Sequence, residues 1–571
     1  MRIPTVLLAA AAAALPFLSL CPASAAGGQG PKISYDEALK RYDESLGHPD
    51  FYHRARGIQT FANCADERAF NTLIERYFKP DDPNPHPIAY KNLIAGCCGT
   101  AFADQKHVDE WQGWMGRAAT AFDSWLHYFG RSEMATYGKA DEVLAFIRDV
   151  KNDVFLRAAA IEGLGAAKYS GIAEFVAQLL DDKKMFGKGL DRSVLVESCA
   201  NVMLPFKGKN DTPVIAALNA LADQIDERAN LERSKLVIAR RLARILESPE
   251  LYFDAKSWKP LIEGLAAKTS KSGSKKYREP HFMGVSGSGK KTAFIIDLSD
   301  SMLKELTTDE IEDIKDRVVT GKKEKEKENA KKKKDTKNDP GEDLPWDQIK
   351  NRFDAAREAL IQSLKNLEPD MEFTVVTFGT DVRWLNSTNG LVPATSVNVN
   401  KAVSELKGIK PSGKRLRGNT NIHGGFLRAF RSLKNATHKG EDEHVAARGF
   451  EEGCDSIFLL TDGAATCDDY TEKGILQKTD GHWKDPETGE EHHGPPGETQ
   501  IPWKGPYRIA HLYVQDILRM NLFRKSEINC IGIGEADFDS LKEIAEAGLG
   551  TFVSIGKDTS EDKDDDGDGR R

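Results

Sequence analysis

Past its first two dozen residues the chain has no run approaching the roughly 18 apolar residues that a membrane-crossing helix needs, so no transmembrane segment is expected. Strong charge of one sign is missing too. The formal net charge is −8, with 29% charged residues, and neither nucleic acid nor an anionic membrane surface is an expected partner. Cysteine is sparse, eight in 571 residues, and no CxxC pair with zinc spacing occurs. H-E-x-x-H and G-x-S-x-G are both absent. No pair of residues offers a clear nucleophile and base, so no catalytic residue is assigned and the chain reads as a non-enzyme.

What is present begins with an address. Arg2 gives a positive start, Val6 to Leu20 form an apolar core rich in Ala and Leu, and small residues stand at Ala23 and Ala25. Residues 1–26 read as a signal peptide cleaved near Ala25 or Ala26, because the apolar core is too short to span a bilayer. Cys21 invites a lipoprotein reading, but Leu20 is large where that signal resembles Ala or Gly. The expectation is export, to a periplasm, a cell surface or the extracellular space. Seven cysteines then remain, Cys64, Cys97, Cys98, Cys199, Cys454, Cys467 and Cys530. An odd number leaves at least one unpaired, and most read as small buried apolar side chains.

The remaining length suits several domains. Residues 34–267 read as successive amphipathic helices. VFLRAAAIEGLGAAKYSGIAEFVAQLL, from Val154, is the clearest unit, two helices joined near Lys168 and Tyr169. Its Arg-x-x-Ala-Ile-x-x-Leu-Gly helix resembles a HEAT-type repeat, with weaker echoes from His53, Asn92, Ser193 and Ser234. The rhythm breaks between Gly113 and Asp149, which keeps an irregular helical domain open as the alternative. A solenoid would add an extended surface for partner proteins. Residues 268–290 are rich in Ser, Gly and Lys and read as a linker between halves that fold independently. Gly284, Gly289 and Lys290 match the opening of a P-loop, G-x-x-x-x-G-K. Lys291 stands where that loop needs Ser or Thr, and the glycines precede a strand rather than follow one, so no nucleotide is expected.

The second half carries the sharpest signals. Strands are expected at 292–297, 372–378, 456–461, 528–534 and 551–555, with helices between several of them, as from Phe353 and Phe538. Short, nearly all-apolar strands alternating with helices imply a doubly wound, mostly parallel α/β sheet covered on both faces. The whole chain is therefore expected to be multidomain, all-α and then α/β. In KTAFIIDLSDSM the first strand runs into Asp297, Ser299 and Ser301 at alternate positions. GNTNIHGG supplies Thr420, and DSIFLLTDG ends a second strand in Asp462 and Gly463. Two carboxylates and three hydroxyls are hard oxygen donors, a set suited to Mg²⁺, with Mn²⁺ or Ca²⁺ as related ions. Open α/β sheets bind ligands beyond the carboxyl ends of their strands, where Asp297 and Asp462 are expected.

These three pieces, in this order, resemble the metal-ion-dependent adhesion site of the von Willebrand factor A (vWA) domain family: Asp-x-Ser-x-Ser, a Thr, then Thr-Asp-Gly. The resemblance covers residues 291–556. It implies a Rossmann-like sheet, with Ser299, Ser301 and Thr420 as direct metal ligands and Asp297 and Asp462 acting directly or through water. It also implies a protein partner whose acidic side chain completes the metal sphere. Two insertions interrupt the domain. Residues 303–345 include a Lys/Glu-rich run with almost no apolar content, which reads as a solvated helix or a disordered loop. Residues 464–504 read as a polar binding loop, in which His482, Glu490, Glu491, His492 and His493 are candidate ligands of a second metal. The tail, 557–571, reads as disordered and acidic. Asp562, Asp564, Asp566 and Gly567 match the start of an EF-hand loop, but the chain stops before its twelfth position. The functional expectation is metal-dependent binding of a protein partner by an exported, non-catalytic protein. A metal-dependent hydrolase and a structural scaffold are the alternatives.

Overall fold

The structure is a computed structural model describing residues 33–47, 51–64, 66–79, 86–264, 279–317, 344–409, 419–470, 476–479, 482–484, 491–493, 497–500 and 505–556. The expected signal peptide with Cys21, residues 265–278, the run 318–343, Glu490, the side chains of His482, Glu491, His492 and His493, and the acidic tail lie outside the described part.

The first half is built of helices, from Tyr35–Leu46 to Ala255–Ile262. Local chemistry fixes their starts. Ser34 accepts from the Glu37 amide, Asp66 from Arg68, and Asp153 from Phe155 and Leu156, each satisfying amides that have no partner within the helix. The helix Val154–Ala166 is buried on almost every side. It lies between Ser124–Thr136 and Leu190–Val202, and the latter packs in turn on Glu232–Leu246. Ile172–Asp181, Thr212–Asp226 and Ala255–Ile262 stack as a second row. Gly163 lets the first of these contacts close, since a Cβ there would sit 2.9 Å from the Tyr128 carbonyl oxygen.

The second half is organised on a seven-stranded sheet: β1 (Lys291–Asp297), β2 (Glu372–Phe378), β3 (Val382–Trp384), β4 (Val392–Pro393), β5 (Ser456–Thr461), β6 (Glu527–Ile533) and β7 (Leu549–Ile555). The order is β7-β6-β5-β1-β2-β3, with β4 also on β2. The five longer strands are mutually parallel, and β3 and β4 run antiparallel to β2. Along β1, Phe294 and Ile296 enter a core with Phe353 and Leu360, whereas Ala293 and Ile295 enter a second core on the other face. Burial on both faces is why these strands are apolar at every position rather than at every other one.

That second core does not stop at the sheet. It runs without a break into the helical half. Phe155 sits against Phe450 and Phe523, with ring centroids 5.7 and 5.3 Å apart. Buried ions also cross the boundary. Lys525 Nζ donates to Glu162, and Arg233 Nε donates to Asp455 Oδ1 at 3.2 Å. The sequence suggests two halves on a linker, and the structure shows them sharing one interior. Part of the stretch read as linker is itself packed. His281–Phe282 pairs with Val285–Ser286 as a short hairpin, and Phe282 is fully buried beside Phe294 and Phe458. The buried Phe282, Met283 and Val285 outweigh the Ser, Gly and Lys around them.

The first insertion also begins in order. Residues 308–317 are helical, Ile314 enters the core, and Glu310 is 1% exposed. Within the second, Leu476–Thr479 pairs with Gly497–Gln500 and His482–Lys484 with Glu491–His493, both antiparallel. Of the seven cysteines from Cys64 to Cys530, all but Cys64 and Cys97 are buried. Among the described residues no helix is long and apolar enough to cross a membrane.

Candidate metal centre

Strands β1 and β5 are parallel neighbours in register, Ile296 opposite Leu460, so their carboxyl ends deliver Asp297 and Thr461-Asp462 to one place. Asp297 Oδ1 accepts from the Ser299 amide at 2.6 Å, and Oδ2 from the Thr461 hydroxyl at 2.6 Å. Ser299 Oγ lies 2.9 Å from Ser301 Oγ, and Ser301 Oγ donates to Asp462 Oδ1 at 2.6 Å. Four of the five residues singled out from the sequence thus form one hydrogen-bonded chain. The fifth, Thr420, stands beside it. A Cβ on Gly463 would lie 3.3 Å from Thr420 Oγ1 and 3.7 Å from Ser301 Oγ. Glycine in Thr-Asp-Gly leaves that space to the two hydroxyls.

The Thr420 loop is held from behind. Its amide donates to Thr466 Oγ1 at 2.7 Å, and its carbonyl accepts from the Thr466 amide at 2.9 Å. Asn421 caps the helix Ile422–Phe430 through the Gly424 amide, 2.7 Å, and its Nδ2 donates to Asp469 at 3.1 Å. Asp297, Ser299, Thr420 and Asp462 are all buried, and Ser301 is partly exposed.

Charge is unbalanced here. Arg352 Nη1 donates to Asp462 Oδ2 at 2.9 Å, while its Nε and Nη2 hold Glu310 Oε1 at 3.1 and 2.7 Å. Two buried carboxyls, Asp462 and Glu310, therefore share one guanidinium, and the buried Asp297 carboxyl beside them is held by the Ser299 amide and the Thr461 hydroxyl. Burial pushes the Asp297 carboxyl up to about 7; Asp462 adds to the rise and the Thr461 hydroxyl opposes it. Among the described residues no group of three or more His, Cys, Asp or Glu is arranged to hold a metal. The donors gathered here are two carboxylates and three hydroxyls. Hard oxygens around surplus negative charge fit a small divalent cation and not a soft one. Arg352, Glu310 and Thr466 escape a sequence reading. Arg352 lies 110 residues before Asp462 along the chain, and nothing in its surroundings marks it except that it opens a helix capped by Asn351.

No protein-family model matches the chain. Inter-alpha-trypsin inhibitor heavy chain H4 of Homo sapiens is 34% identical to it over 125 residues, 22% of this chain and 12% of that protein. Heavy chain H4 of Bos taurus is 34% identical over 110 residues, 19% of this chain and 10% of that protein. The chain thus spans about an eighth or less of the length of these curated relatives.

Proposed function

We propose that this is an exported, non-catalytic protein that binds a protein partner through a divalent cation, Mg²⁺ with Mn²⁺ or Ca²⁺ as substitutes, held by Asp297, Ser299, Ser301, Thr420 and Asp462. The observation that carries the reading is the pair of buried carboxylates joined through Ser299 and Ser301, of which Asp462 shares Arg352 with Glu310 and Asp297 has no ion pair among the described residues. A dication relieves that imbalance. The partial similarity to a heavy chain that contains a vWA domain is a second, coarser support.

The donor composition suggests the mode of binding. Neutral hydroxyls leave part of a dication's charge unspent, so an incoming carboxylate gains a charge-assisted contact that an all-carboxylate cage would remove. The bound ion supplies a coordination position for an acidic side chain of the partner. The chain's own residues set its location: Thr461 and the Ser299 amide fix Asp297, Arg352 fixes Asp462, and Thr466 fixes Thr420. The helical half, read as a HEAT-like stack, is the second interaction surface, and no nucleotide or nucleic acid takes part.

The test is calorimetric titration of the full chain with Mg²⁺ and Mn²⁺, followed by affinity capture with and without chelator. Asp297→Asn should lose metal binding while keeping its circular dichroism. Thr420→Asp should hold metal at least as well yet lose capture, because the added carboxylate competes with the partner's. Metal affinity unchanged in folded Asp297→Asn refutes the metal assignment. Full capture by metal-loaded Thr420→Asp refutes the carboxylate-bridged mode.

A further inference from the structure

At the amino-terminal edge of the sheet, away from the candidate metal centre, an open cleft of about 650 Å³ lies where the helical half meets β6 and β7. Its size is that of sites for small molecules. The helix Glu232–Leu246 lines it with Arg240, Arg241 and Arg244. Two cations at the cleft are already matched. Lys207 pairs with Glu247 at 2.7 Å. Arg240 is held by Ser288, by the Asp455 carbonyl at 3.1 Å and by Glu527 at 3.5 Å.

Arg241 and Arg244 have no ion pair among the described residues. Arg241 is 3% exposed, yet among the described residues its guanidinium makes one hydrogen bond, from Nε to Asn201 Oδ1 at 3.3 Å, and no ion pair. Arg244 donates to the Leu549 carbonyl at 3.2 Å and likewise has no carboxylate partner. A buried guanidinium without a counter-ion is costly. Burial lowers the Arg241 pKa to about 9, with Arg240 and Arg244 contributing and Glu162 and Glu197 opposing. One carboxyl, Glu279, lines the cleft without an ion pair among the described residues, and Ala243, Leu251 and Leu549 give it apolar walls.

We propose that this cleft binds a small organic oxyanion, whose phosphate or carboxylate head seats on Arg241 and Arg244 and whose body lies against Leu251 and Leu549. Planar guanidinium forks match the paired oxygens of such a head. An anion there adds to the opposite charge that Glu162 and Glu197 set near Arg241, and meets the guanidinium of Arg244, which has no ion pair among the described residues. Glu279 lines the same cleft, and its charge weakens anion binding, which gives the proposal an outcome of opposite sign.

The test is calorimetric titration of metal-stripped full-length protein with inorganic pyrophosphate and, separately, with citrate, at constant ionic strength in buffer free of chelator. Saturable binding of either is expected, and the tighter one identifies the head group. Arg244→Gln, at a half-buried position, should weaken it about tenfold, as expected for one charge-assisted contact. Arg241→Gln should do the same or more, and Glu279→Gln should tighten it. The proposal is overturned if neither anion binds saturably, or if Arg244→Gln and Glu279→Gln both bind as the parent does.

Discussion

Single residues here work mostly by being buried with too little opposite charge. Asp297 is one case, and its neutralisation is the basis of the proposed metal binding. Asp468 is a second buried carboxyl whose titration burial shifts upward. It is 3% exposed, and its oxygens accept from the Tyr470 and Tyr507 amides at 2.8 and 2.7 Å. Burial pushes its carboxyl up to about 7, against the pull of His423 and of those two amides. A folded-state value above the unfolded value of about 3.9 means that the folded protein binds this proton more tightly. Stability from this group is therefore lost as pH rises from about 4 to about 7, by at most ~1.4 kcal/mol per pH unit. Asp468→Asn removes the titration. Urea unfolding at several values between pH 4.5 and 7.5 should show the variant gaining on the parent as pH rises. A difference that stays constant across this range rules out an ionising Asp468.

At the scale of elements, the sequence is most informative where a strand is buried on both faces. The expected strands 372–378 and 456–461 coincide with β2 and β5, and 292–297, 528–534 and 551–555 fall within one or two residues of β1, β6 and β7. The five side chains named at the strand ends and in the Thr420 loop stand together because β1 and β5 are adjacent. Less legible is anything that depends on a distant partner. Arg352 matters through Asp462 and Glu310, and the 281–286 hairpin through Phe294 and Phe458. The P-loop-like stretch shows the same difference. Gly289 has φ +103°, and a Cβ on it would lie 2.2 Å from Asp455 Cβ. Asp455 Oδ2 meanwhile accepts from the Lys290 and Lys291 amides at 3.0 and 3.1 Å. This glycine serves a turn around Asp455, and with it the Arg233 contact. Gly289→Ala should destabilise the protein by about 2 kcal/mol or more, through left-handed strain and displacement of Asp455. Chemical denaturation measures this, and a loss under about 0.5 kcal/mol would mean that the turn relaxes freely.

For the whole molecule, the shared interior decides how it comes apart. Cutting between residues 264 and 279 would uncover Phe155 and strip Glu162 of Lys525 and Arg233 of Asp455. Removing one partner of a buried pair costs about 3–5 kcal/mol. Intact chain should therefore melt in a single calorimetric endotherm, and a fragment ending at Gly264 should melt well below it or aggregate. Two resolved transitions in the intact chain, with the lower or upper one reproduced by the fragment, would show that the halves are independent after all.

Time enters through the same interface. Phe155 leaves the ribosome 295 positions before Phe450, the ring it packs against. At ~5–20 residues per second, the interval is on the order of 15–60 s. Throughout it, the sheet-facing side of the helical stack has no cover. Contacts this distant along the chain also slow the closing step once synthesis ends. The nascent protein thus carries uncovered aromatic surface for the whole of that interval.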